Sequence, residues 1–98
     1  MAPEQLLGQP ISQQVDIFSY GVAAYELLTS HKPFPGDTPG EILKKEMERA
    51  DFVPPRQYNP DIPVAMENLI LKCIELEPER RYPFMGMMVG DLKAALYV

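Results

Sequence analysis

The sequence predicts an all-α fold, and three features carry that prediction. Apolar residues recur at helical spacing in four separate stretches. No stretch of useful length alternates apolar and polar residues as a half-buried strand does. Most of the 11 prolines gather at 33–39, 54–63 and 78–83, between the periodic stretches. They mark ordered, proline-stiffened loops rather than a low-complexity tail.

Each element follows from its residues. Residues 2–8, APEQLLG, read as a short helical turn, with Pro3 near its first position and Gly8 at its end. Residues 15–30, VDIFSYGVAAYELLTS, read as one helix. Between Val15 and Leu28 only Asp16, Ser19, Gly21 and Glu26 interrupt its apolar side chains. No consistent polar face is left, so this helix is expected to be buried nearly all round. Residues 31–37, HKPFPGD, form a loop.

The clearest local signal is TPGE, residues 38–41. Thr38 stands at an N-cap, Pro39 at the first helical position and Glu41 at the third, the pattern of a capping box. A helix through EILKKEMER follows, with Ile42, Leu43 and Met47 on one side. Its Glu41–Lys45 pair at i,i+4 adds about 0.2–0.5 kcal/mol. Residues 50–63 read as extended or turning. From Val64, the series Met66, Leu69, Ile70, Cys73, Ile74 defines an amphipathic helix. ELEPERRYP is a turn. Met85, Met88, Val89, Leu92 and Leu96 then repeat at helical spacing, in a helix that Gly86 and Gly90 each weaken by about 1 kcal/mol relative to alanine.

Composition narrows the function. The chain has 98 residues, 46% of them hydrophobic and 23% charged, which suits one globular domain or part of one. A net charge of −5 and scattered basic residues argue against binding nucleic acid or an anionic membrane surface. Cys73 is the single cysteine and His31 the single histidine, so neither an intrachain disulfide nor a histidine-rich metal cluster is expected. No run approaches the roughly 18 apolar residues of a membrane span. No basic region followed by an apolar core opens the chain as a signal peptide would. Together these features imply a cytoplasmic location.

Three blocks now stand in order: A-P-E at 2–4, D-I-F-S-Y-G-V-x-x-Y-E-L-L-T at 16–29, and L-I-L-K-C-I-x-x-x-P-x-R-R-Y-P at 69–83. With P-F at 33–34 and the capped helix between the second and third, they resemble the C-terminal lobe of a eukaryotic-type serine/threonine protein kinase. The resemblance spans the whole chain. It implies that the apolar helix runs through the centre of the lobe, and that its remaining cover comes from the rest of the kinase domain. The glycine-rich loop, the strand lysine, the H-R-D loop and the D-F-G aspartate are not in the sequence. Met1 falls where the family commonly has the methionine preceding A-P-E. Residues 1–98 are therefore expected to be a partial kinase domain, the end of the activation segment and the helices after it. ATP and magnesium would belong to the parent protein, with no cofactor held by this chain.

The resemblance also implies roles for single residues. Glu4 would pair with Arg81 and tie the activation segment to the lobe. If that pair is buried, removing one partner costs about 3–5 kcal/mol. Asp16 would anchor the catalytic loop, a partner this sequence lacks. Read alone, it is an acid complementing a helix start. Glu26 stands where basic-directed members contact a basic substrate side chain, and it reads equally as a plain surface acid. The helix after Thr38 corresponds to one that docks substrates and regulators. Its Lys44, Lys45, Glu48 and Arg49 read first as a solvated face. Phe18 replaces a common tryptophan. Phe84 replaces a common Ser or Thr, leaving the last helix without an evident cap. Cys73 reads as an inert core residue, and His31 has no evident partner. Serine/threonine over tyrosine specificity rests on LKCIELEPERRYP lacking a tryptophan after the cysteine. Two alternatives stay open: a pseudokinase scaffold, and a stand-alone helical protein-interaction module.

Overall fold

The computed structural model describes residues 2, 3 and 13–96. Ala2 and Pro3 are buried, and the rest of the expected turn at 2–8 lies outside the described residues. The described elements are five α-helices and one 3-10 turn. They are α1 (Gln13–Thr29), α2 (Pro39–Glu48), α3 (Pro55–Tyr58), α4 (Val64–Cys73), the 3-10 turn (Pro78–Arg80) and α5 (Met85–Leu96). No strand occurs among the described residues.

The core forms where α1 meets α4. Val15, Ile17, Phe18 and Tyr25 of α1 pack with Met66, Leu69, Ile70 and Cys73 of α4, and with Ile74 beyond it. The helices approach at Gly21. A Cβ there would stand 2.7 Å from the Cys73 Cβ and 2.7 Å from the Ile74 Cγ2, so only glycine fits this crossing. At its C-terminus, α1 ends in a left-handed Ser30 (φ 61°), whose N–H donates to Glu26 O at 2.8 Å.

α1 is not buried all round. Tyr20 is 60% exposed and Leu27 83%, and Asp16 and Ala23 are exposed with them. These four positions follow the i, i+4, i+7, i+11 spacing of one helix face. The other described helices gather on the opposite side, which is why this mixed face, with Ser19 and Glu26 exposed along its edge, stays open.

The capping box forms with a shifted partner. The Glu41 N–H donates to Thr38 Oγ1 at 3.2 Å, as the TPGE pattern requires. The Glu41 carboxylate accepts the N–H of Asp37, one residue before the cap, at 2.7 Å. Lys45 pairs with Asp51 at 3.3 Å instead of with Glu41. Nor is the inward face of α2 the apolar one expected. Met47 is exposed, Ile42 and Leu43 are half-buried, and Glu46 is fully buried.

The segment after α2 holds one helical turn that its prolines did not announce. Pro55 supplies the first position of α3, and the Asn59 N–H closes the turn on Pro55 O at 3.0 Å. The Asn59 side chain donates to Leu28 O at 3.0 Å and so fastens this loop to the end of α1. Tyr25 of α1 reaches the same segment, its hydroxyl donating to Val53 O at 2.5 Å.

α5 finds its cap at a distance. The Met85 N–H donates to Gln13 Oε1 at 3.0 Å, while Gln14 Nε2 donates to Pro83 O at 2.8 Å. The first turn of α1 thus supplies what Phe84 cannot. Met88 and Ala95 are the buried residues of α5. Met85, Val89 and Leu92 pack partly against the core, and Leu96 is exposed rather than internal. No helix among the described residues is long and apolar enough to cross a membrane.

Candidate functional site

Arg81 is the most enclosed cation of the described structure, 2% exposed. The 3-10 turn delivers it in extended backbone. Its Nε donates to Glu75 O at 2.8 Å, its Nη2 to Leu76 O at 3.2 Å and its Nη1 to Gln14 O at 2.9 Å. The guanidinium lies over the Phe18 ring, 4.6 Å from the centroid. Arg81 thereby joins the end of α4, the turn after it and the first turn of α1. Glu4, its expected partner, lies outside the described residues.

Asp16 stands exposed in the first turn of α1, one helical turn from Tyr20. Glu26 is also exposed. It borders a cleft of about 190 Å³ together with Lys32, Phe34, Ile42 and Glu46. The structure therefore brings Glu26 together with the buried Glu46, and leaves Asp16 apart from both.

A larger groove, about 410 Å³, opens between the Pro33–Pro35 loop and α2. Phe34 and Phe52 give it apolar walls, and Lys44, Lys45, Glu48 and Arg49 rim it. Phe34 and Phe52 stack at 5.7 Å, Phe18 stacks on Phe34 at 6.1 Å, and Tyr25 meets Phe52 at 5.9 Å. One aromatic chain thus runs from Arg81 to the groove.

Arg49 is not the solvated residue expected from its place beside Glu48. It ends α2 in a left-handed conformation (φ 53°) and turns inward. Its Nε donates to Glu46 O at 2.6 Å and its Nη2 to Ile74 O at 2.5 Å. Its guanidinium covers the Phe34 ring at 4.9 Å. Burial lowers its pKa, with Arg81 adding to that effect, while the Glu75 and Glu46 carboxylates oppose it. No pattern in the sequence marks this role, because it depends on where α4 ends in space.

Two smaller expectations resolve here. His31 does have partners: its ring stacks on Tyr58 at 3.8 Å, and Nδ1 lies 2.8 Å from Thr29 O. Cys73 is fully buried, and desolvation pushes its thiol up to about 12, too high for a reactive thiolate near neutrality. Among the described residues no three His, Cys, Asp or Glu side chains converge.

A profile of the protein kinase domain matches residues 1–91. The chain belongs to the protein kinase family. A probable serine/threonine-protein kinase of Clostridium acetobutylicum is 44% identical over 92 residues, which is 94% of this chain and 14% of that protein. The tyrosine-protein kinase MasK of Myxococcus xanthus is 39% identical over 96 residues, 98% of this chain and 15% of that protein. The twitchin kinase region of C. elegans superposes with a TM-score of 0.73 at 26% identity, covering 94% of this chain and 15% of that one. The fold is thus the all-α C-lobe of a kinase, and the chain spans only about a seventh of the curated relatives' length. In that lobe α1 is the apolar helix that follows A-P-E, and Arg81 directly precedes the aromatic Tyr82.

Proposed function

We propose that this chain is the C-lobe part of a serine/threonine protein kinase whose intact form transfers the ATP γ-phosphate to protein hydroxyls. Residues 1–98 would be the end of the activation segment and the helices after it. The glycine-rich loop, catalytic loop and magnesium-binding aspartate would belong to the rest of the domain. The observation that carries the reading is the open face of α1, where the large apolar side chains of Tyr20 and Leu27 are 60% and 83% exposed among polar neighbours. Two large apolar side chains left this open on the central helix suit a covering element, and the rest of the kinase domain is the partner that fits. Asp16 at the start of the same face suits the role of anchoring a catalytic loop. Glu26 would contact a basic substrate side chain, a reading that its exposure beside the 190 Å³ cleft supports. The groove along α2 suits a protein substrate or regulator. Glu4 would complete the Arg81 anchor.

Phosphoryl transfer depends almost wholly on positioning and on charge stabilisation by groups this sequence lacks. The isolated chain is therefore inactive. Incubation with magnesium, radiolabelled ATP and a mixture of protein substrates should give no transfer above a blank. Turnover by the chain alone would overturn the reading. The same assay on the longer protein encoded by the gene, followed by phosphoamino-acid analysis, should give phosphoserine or phosphothreonine. Phosphotyrosine alone would shift the specificity, and no transfer would make the parent a scaffold.

A further inference from the structure

Three consecutive carbonyls follow the last residue of α4: those of Ile74, Glu75 and Leu76. Two guanidiniums share them. Arg49 holds Ile74 O, and Arg81 holds Glu75 O and Leu76 O. Ile74 is the C-cap of α4, and the partial negative charge at that helix end attracts cations; the Glu75 and Leu76 carbonyls just beyond it add two acceptors. The Glu75 carboxylate adds a countercharge felt at Arg49. This is why two like charges settle on one short stretch of backbone. A second connection runs beside the first. Arg81 covers the Phe18 ring, Arg49 covers the Phe34 ring, and those two rings stack 15° from parallel.

We propose that Arg49 is a positioning residue that clamps Arg81 in place, coupling the C-terminus of α2 to the Arg81 network through the carbonyls of residues 74–76. Displacement of the α2 end withdraws the Arg49 guanidinium from Ile74 O. The 74–76 stretch, whose Ile74 and Glu75 N–H groups stay bonded to α4, then loses the anchor on its Ile74 carbonyl, and the Arg81 hydrogen bonds lengthen. Because Arg49 also rims the 410 Å³ groove, the clamp connects that surface to the lobe interior. The clamp stands on geometry alone. Its consequence for kinase control rests on the proposed role of Arg81, and the experiment below tests the first without the second.

The probe is the Arg81 side-chain Nε–H, which donates to Glu75 O and is followed by NMR hydrogen exchange in the ¹⁵N-labelled chain. In Arg49→Met its exchange should accelerate about tenfold or more, the size expected for loss of a charged hydrogen bond that held its acceptor segment. The Leu69 and Ile70 amides of α4 should be unchanged, and Lys44→Met, on the exposed side of α2, should leave Arg81 as it was. Arg49→Lys keeps the charge but not the forked donor set, and should give a smaller acceleration in the same place. It serves as the reading if Arg49→Met does not fold. Unchanged Arg81 exchange in both variants would overturn the clamp. So would equal acceleration at Arg81 and at the Leu69 and Ile70 amides, which would mean a general loss of stability.

Discussion

Gly21 and Cys73 set the distance between the two central helices. A Cβ on Gly21 would stand 2.7 Å from the Cys73 Cβ, well inside contact distance. Gly21→Ala gains helix propensity, but the added methyl group must push α4 away from α1. Overpacking a well-filled core costs about 1–3 kcal/mol, more than the propensity gain of about 1 kcal/mol. Gly21→Ala should therefore lower the midpoint of a urea melt. Adding Cys73→Ala to it should recover little, because the Cys73 Cβ and the Ile74 methyl group remain.

The Gln13–Met85 hydrogen bond makes the start of α1 the cap of α5. Gln13→Ala leaves that N–H to water and should cost about 1 kcal/mol, within the range for losing an N-cap acceptor. Gln13→Glu keeps an oxygen at the same place and adds negative charge at a helix N-terminus, where it is favoured. It should match or exceed the parent chain in a thermal melt at neutral pH. Equal losses in both variants would mean that the contact does not cap α5.

What could be read in the sequence was what local periodicity and local chemistry decide. The apolar series from Met66 to Ile74 lies in the core as its spacing requires, and Thr38 caps α2 as its residue type requires. Arg49, Glu46 and Gln13 were not legible, since each departs from its local signal for a tertiary reason. Arg49 and Glu46 sit in a helix whose charge pattern looks solvated, yet both turn towards the Phe34 side of the core. Gln13 caps a helix 72 residues away. The open face of α1 is the converse case. Its composition announced burial on every side, but the described helices reach only one.

That open face yields its own prediction. Leu27 is 83% exposed, so Leu27→Ser should change the stability of this chain by no more than about 0.5 kcal/mol, as for an ordinary surface position. Phe18, on the opposite side of α1, is fully buried between Arg81 and Phe34. Phe18→Ala should cost about 3–5 kcal/mol. Chemical denaturation of the two variants reads the contrast directly. A Leu27→Ser cost comparable to that of Phe18→Ala would show that this face is covered when the chain is alone.

Alkaline pH should unfold the chain through three buried acids. Desolvation raises the Cys73 thiol from an ordinary 9.0 to about 12, against the pull of Arg81 and Lys72. Desolvation, with a smaller contribution from Tyr58, raises the Tyr25 hydroxyl from 10.0 to about 12. Tyr82 is raised in the same direction, first by burial and then by its 2.7 Å hydrogen bond to Asp91. In each case the folded state keeps a proton that the unfolded chain releases at the ordinary value. Their contribution is therefore intact below about pH 9 and is lost as pH rises from there towards 12. Each group adds up to about 1.4 kcal/mol per pH unit to the fall once its unfolded pKa is passed. Urea melts between pH 7 and 11 should show a plateau and then a steepening decline. Cys73→Ala should remove the part that begins near pH 9. Tyr82→Phe should lower stability by about 1 kcal/mol at neutral pH through the lost hydrogen bond, and make the decline above pH 10 shallower. An unchanged slope in both variants would mean that these groups already titrate at their ordinary values in the folded chain.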